Sequence, residues 1–152
     1  MIPPKIIHNF KQYAPIKDSV LVGGCFDLLH YGHLCFLRAA AEHGPVIVAL
    51  ESDESIRVNK KSPPIHAQHQ RAEILSELRC IHQIICLPSV LRDFEDYFNL
   101  VQKINPTTLA VTEGDPQVKN KMRQAEAIGA KVIVVNTLIE GLSSSLIRAT
   151  HL

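Results

Sequence analysis

Eleven consecutive residues, Gly23-Gly24-Cys25-Phe26-Asp27-Leu28-Leu29-His30-Tyr31-Gly32-His33, concentrate much of the chemistry this chain could perform. Two glycines let backbone approach a ligand closely, and two imidazoles straddling Gly32 follow at the opening of an expected helix. That pattern suits phosphate groups. His30 would donate to an α-phosphate oxygen and His33 to neighbouring phosphates as charge builds on a pentacoordinate phosphorus. The blander account is a pair of capping histidines. Asp27 could orient an imidazole, hold the turn through backbone N–H groups, or approach Mg²⁺ through water.

Other groups carry potential chemistry. In Glu140-Gly141-Leu142-Ser143-Ser144-Ser145-Leu146-Ile147-Arg148, Ser143 or Ser144 can cap a final helix, leaving N–H groups, hydroxyls and the dipole's positive end for an anion. A plain N-cap is the alternative. His66 and His69 have H-x-x-H spacing, but they lie in polar loop sequence and read as solvated surface histidines. No protein-held metal is expected.

The elements that must position these residues follow from the apolar pattern. Short β-branched runs at Val20–Val22, Val46–Leu50, Ile81–Cys86, Leu109–Val111 and Val132–Val135 read as buried strands. Between them lie helical stripes: Leu34, Leu37 and Ala41; Ile74, Leu75 and Leu78; Leu91, Phe94, Phe98 and Val101; Val118, Met122 and Ala125. This alternation predicts a single α/β, Rossmann-like, doubly wound five-stranded parallel sheet with helices on both faces. Ligands of such sheets bind beyond the strands' carboxyl ends at the topological switch point, where Gly23-Gly24 would stand. Residues 1–18, with Ile6, Ile7, Phe10 and Tyr13, read as an N-terminal helical extension, and residues 19–152 as the main domain. Asn59-Lys60-Lys61-Ser62-Pro63-Pro64 reads as an exposed loop and a candidate lid.

With 152 residues, 46% hydrophobic and 20% charged, the chain suits one packed domain. Its net charge of +1 supplies no global field for nucleic acid or an anionic membrane, so neither is an expected partner. No apolar run approaches the ~20 residues of a membrane span, and the start lacks a leader pattern, so a cytoplasmic location is expected. Cys25, Cys35, Cys80 and Cys86 lack C-x-x-C spacing and read as reduced thiols.

Gly24-Cys25-Phe26-Asp27 joined to His30-Tyr31-Gly32-His33 resembles the paired signature of the cytidylyltransferase-like nucleotidyltransferases. The chain looks closest to heptose-phosphate adenylyltransferases and glycerol-phosphate cytidylyltransferases, with archaeal-type FAD synthetases nearby. Ser143-Ser144-Ser145 with Arg148 resembles the family's second, phosphate-binding signature. The resemblance implies His30, His33, Lys60 and Arg148 as the catalytic set. Gly23, Gly24, Cys25, Phe26, Asp27, Gly32, Gly114 and the three serines would surround the nucleotide. Asp53, Lys61 and Arg71 would serve the acceptor and lid. It further implies ATP or CTP with Mg²⁺ as donor, a sugar or polyol phosphate as acceptor, pyrophosphate as product, and a homodimer.

The chain departs from that pattern in places. Thr112-Glu113-Gly114-Asp115 stands where relatives often carry Lys-Gly-Gly-Asp, and Leu138-Ile139-Glu140-Gly141 where cytidylyltransferases have Arg-Thr-Glu-Gly. Base and acceptor therefore stay open. A catalytically weak or inactive nucleotide-binding regulatory protein is the alternative.

Overall fold

A computed structural model describes residues 4–89, 91 and 93–135. Six parallel strands form one sheet: β1 (Ile6–Ile7), β2 (Val20–Gly24), β3 (Val46–Leu50), β4 (Ile81–Cys86), β5 (Thr108–Thr112) and β6 (Lys131–Val135). Between them run α1 (Tyr31–Ala41), α2 (Asp53–Lys60), α3 (Gln68–Ser76), α4 (Phe94–Ile104) and α5 (Val118–Ile128). The strand order is β1-β4-β3-β2-β5-β6. From β2 the chain winds outward to β3 and β4, then returns to the far side of β2 for β5 and β6. The carboxyl ends of β2 and β5 therefore flank the switch point, where no crossover helix blocks access.

Helices cover both faces, which explains why the central strands are apolar at consecutive positions. Val20, Val22, Val46 and Val48 meet Phe36, Leu37 and Ala40 of α1 and Ala72 and Leu75 of α3. Leu21, Ile47, Ala49 and Leu109 meet Leu100, Val101 and Ile104 of α4 and Ala125 of α5. Gly44 ends the segment after α1 at φ +147°, where a Cβ would stand 2.2 Å from the Asp18 carbonyl oxygen. Only glycine fits there.

Several expectations are corrected. The sheet has six strands rather than five, because Ile6 and Ile7 pair with Ile84 and Ile85 of β4. The N-terminal segment contributes this strand and one 3₁₀ turn, Phe10–Gln12, in place of the expected helix. Asn59 and Lys60 form the last turn of α2, and Lys61 caps it at φ 56°, so the loop is shorter than expected. Helix α4 begins at Phe94, after the Asp93 cap, leaving Leu91 outside it. Ile74 and Met122, expected to face the core, are 42% and 55% exposed. In α5, Ala125 is buried as expected, and Gln124 is buried beside it.

Candidate active site

The turn after β2 is held in an unusual backbone. Phe26 and Leu28 adopt left-handed φ values of 47° and 59°, a region that non-glycine residues enter only when their surroundings compel it. The compulsion is visible. Phe26 is buried in the core, and Asp27, 2% exposed, accepts hydrogen bonds from the N–H groups of Ile65 (2.8 Å) and His66 (3.0 Å). Of the alternatives for Asp27, this geometry supports backbone anchoring, and the segment it anchors is the loop after α2. Gly24 has no room for a side chain, since a Cβ would approach the Phe26 ring to 2.9 Å.

His30 is the N-cap of α1, and it forms a reciprocal box with His33. The His33 N–H donates to Nδ1 of His30 (3.4 Å), and the His30 N–H donates to Nδ1 of His33 (3.2 Å). The rings stack with centroids 3.8 Å apart and planes 20° apart. Phe26 meets the His33 ring edge to face at 5.2 Å. The blander account thus describes real contacts, yet it does not exhaust the pair. An Nδ1 that accepts an N–H carries no proton, so in each neutral imidazole the proton sits on Nε2, as a donor. Burial lowers both pKa values, and for His33 the neighbouring His30 and Lys60 push further, down to about 4. Each neutral imidazole therefore keeps one Nε2–H able to donate to a phosphate oxygen.

Arg71, 1% exposed, ties the surroundings together. Its Nε donates to the His66 carbonyl (3.0 Å), Nη1 to the carbonyls of Cys25 (2.8 Å) and Glu51 (2.9 Å), and Nη2 to Asp53 Oδ1 (2.7 Å). Asp53 and Arg71 are therefore brought together as an ion pair under the site. Lys60, exposed at the end of α2, is close enough to influence both Cys25 and His33. Burial raises the Cys25 thiol pKa, partly offset by Lys60, which keeps the thiol protonated at neutral pH. Lys61 points to solvent. Gly32 lies in the first turn of α1, and Gly114, at φ 80°, in the exposed turn after β5. Ser143, Ser144, Ser145 and Arg148 lie outside the described residues.

A cleft of about 950 Å³ opens at the switch point. Gly23, Gly24, Cys25 and Lys60 form one side of its mouth, Thr112 and Asp115 another, and it descends between α4 and α5 onto Leu21, Ala49 and Leu109. His30 and His33 are not in its lining; they stand beyond the Gly24–Phe26 turn, with Lys60 linking the two regions. Sequence reasoning missed several lining residues. Glu51, directly after β3, accepts a hydrogen bond from the Tyr97 hydroxyl (3.1 Å), and burial together with that carboxylate raises the phenol pKa well above its ordinary value. Lys121 is paired with Asp115 at 2.6 Å. Gln117, Asn120 and Gln124 recur at helical spacing along α5, a pattern readable in the sequence only once α5 is known to flank a ligand.

Among the described residues, no three His, Cys, Asp or Glu side chains gather as a metal site. Asp27 and Asp53 are engaged with backbone amides and with Arg71. No described helix is long and apolar enough to cross a membrane.

The same fold occurs in pantoate-beta-alanine ligase from Francisella tularensis, with a TM-score of 0.67 at 20% identity, covering 95% of this chain and 72% of that one. It also occurs in a lipopolysaccharide core biosynthesis protein from Thermoplasma volcanium, with a TM-score of 0.64 at 22% identity, covering 80% of this chain and 98% of that one. By sequence, the chain is 36% identical over 154 residues to the bifunctional protein HldE of Helicobacter hepaticus, covering 95% of this chain but only 30% of that protein. It is 31% identical over 121 residues to the FAD synthase of Pyrococcus horikoshii, covering 78% of this chain and 79% of that enzyme. A sequence model of cytidylyltransferase-like proteins matches residues 21–150, from β2 past the end of the described sheet. The imidazole turn, the switch-point cleft and this match agree: the chain belongs to the cytidylyltransferase-like family of nucleotidyltransferases.

Proposed function

We propose that the protein transfers a nucleotidyl group from ATP or CTP to the phosphate of a small metabolite. An acceptor phosphate oxygen attacks the α-phosphorus in line, the bond to the β-phosphate oxygen breaks, and pyrophosphate leaves. The observation that carries this reading is the reciprocal His30–His33 box, which leaves two neutral Nε2–H donors beside a glycine turn at the switch point. Lys60 adds a cation between these donors and the cleft. Mg²⁺ carried on the triphosphate supplies further charge neutralisation. Arg71 and Asp27 take no part in bond making; they hold the turn and the following loop in place. Ser143, Ser144, Ser145 and Arg148 complete the phosphate site in this proposal. A sugar or polyol phosphate is one acceptor class; the FAD synthase relatives point to a flavin phosphate as another. We also propose a homodimer, checked by light scattering.

Pyrophosphate release from ATP and CTP against a panel of sugar, polyol and flavin phosphates tests the activity. Release above the rate of a His30, His33 double alanine variant is expected. Nucleotide binding, seen as a raised melting temperature, without release against any acceptor would favour the regulatory reading. No thermal response to either nucleotide with Mg²⁺ would overturn both.

A further inference from the structure

Two lysines line the cleft, and they come from elements on opposite sides of β2. Lys60 ends α2, which follows β3, and Lys121 belongs to α5, which follows β5. In the sheet β2 lies between β3 and β5, so the glycine turn at its end has an ammonium from either side. These are the only cations among the described lining residues, since Thr112, at the end of β5, brings no charge. Lys121 reaches the mouth because helical side chains lean toward the N-terminus of their helix, and its Nζ donates to Asp115 Oδ2 at 2.6 Å. Asp115 is itself fixed, its Oδ1 accepting the Gln117 N–H at 2.7 Å. An ammonium has three protons, so beyond the one given to Asp115 two can meet a ligand. Stability explains little of this lysine. Helix α5 has Lys119 and Lys121 among its first four residues and no carboxylate in its first turn, although the helix dipole favours negative charge there. An ion pair whose lysine is 30% exposed adds only a little to folding.

We propose that Lys121, held by Asp115, binds a phosphate oxygen of the donor's polyphosphate on the β5 side of the glycine turn, opposite Lys60. This rests on the nucleotidyl-transfer reading. Strands β3 and β5 lie two strand spacings apart, about 10 Å, a gap that a chain of linked phosphates fills and a single phosphate does not. As the bond to the β-phosphate oxygen breaks, charge gathers on the departing pyrophosphate, and an ammonium already in place stabilises it. Asp115 keeps that ammonium at the mouth before the ligand arrives, so less side-chain freedom is lost on binding.

Isothermal titration of the purified chain with inorganic pyrophosphate, ATP and CTP, each with Mg²⁺, tests this. Lys121→Met should weaken binding about tenfold, the usual effect of losing one contact to a charged group, with the melting temperature kept near wild type. The Asp115→Asn, Lys121→Met double variant has the net charge of the parent chain, so a loss that persists in it belongs to the contact rather than to the general field. Persistence is the expected result. Unchanged affinity in Lys121→Met, or full affinity in the charge-matched double variant, would overturn the proposal while leaving nucleotidyl transfer standing. Pyrophosphate binding that needs Lys121, in a chain that binds neither ATP nor CTP, would uphold the phosphate site and defeat nucleotidyl transfer. No binding of any of the three would overturn both.

Discussion

His30 and His33 each use Nδ1 to satisfy the other's backbone, so one pair of side chains both starts a helix and presents donors. The two roles are separable. His30→Asn keeps an N-cap acceptor while removing the imidazole Nε2–H, so the melting temperature should stay near wild type. Pyrophosphate release should fall about 100-fold or more, the usual cost of one preorganised donor. An equal loss of stability and rate would instead mean that the pair only caps. The depressed pKa of His33 has its own consequence. Between about pH 6.5 and 4 the unfolded chain binds a proton that the folded chain refuses. The group's contribution is therefore intact above pH 6.5 and lost as pH falls toward 4. Urea titrations at pH 7.5 and 5 should show this loss, and His33→Gln should reduce it. The imidazole pair was legible in the sequence as a constellation because its spacing is local. Capping was equally legible there; the left-handed backbone at Phe26 and Leu28 was not, since residue type does not announce it.

Among the elements, the central strands and α1 were legible because β-branched runs and an apolar stripe are strong signals. Helix α2 was hidden: Ile56 is its one buried residue, and apart from the exposed Val58 the rest of Asp53–Lys60 is polar. Its start was nevertheless written in Ser52, whose hydroxyl accepts the Ser55 N–H at 3.1 Å, followed by Asp53 and Glu54 in the first turn. Arg71 carries the energetics at this scale. Arg71→Ala leaves three carbonyls and Asp53 without their donor, so a loss of about 3 kcal/mol in urea unfolding is expected. Faster proteolysis between Lys61 and Ala67 should accompany it, because that loop hangs on Arg71 and Asp27. An unfolding midpoint unchanged from wild type would remove the strut role.

For the whole molecule, the sheet order places the cleft, and the N-terminal segment completes the far edge. That segment eluded sequence reading because a two-residue strand has no periodicity to detect. Its attachment is specific. Ile7 is 1% exposed, and Lys5 Nζ donates to the carbonyls of Ser76 (2.5 Å) and Leu78 (2.9 Å) at the end of α3. Deleting residues 1–8 should therefore lower stability by about 2–4 kcal/mol, the worth of one or two buried isoleucines, while nucleotide affinity at the distant β2–β5 switch point is retained. Thermal melts with and without ATP would check both halves. The guanidinium of Arg71 also bears on the order of events in folding. Its four acceptors come from the β2 turn, the end of β3, α2 and the loop before α3, segments that converge only when the sheet and its helices are already assembled. A contact of that kind is absent from a half-formed transition state, so it sets how long the native chain survives rather than how fast it forms. In stopped-flow experiments the whole deficit of Arg71→Ala should appear as accelerated unfolding, with the refolding limb superimposed on that of the parent.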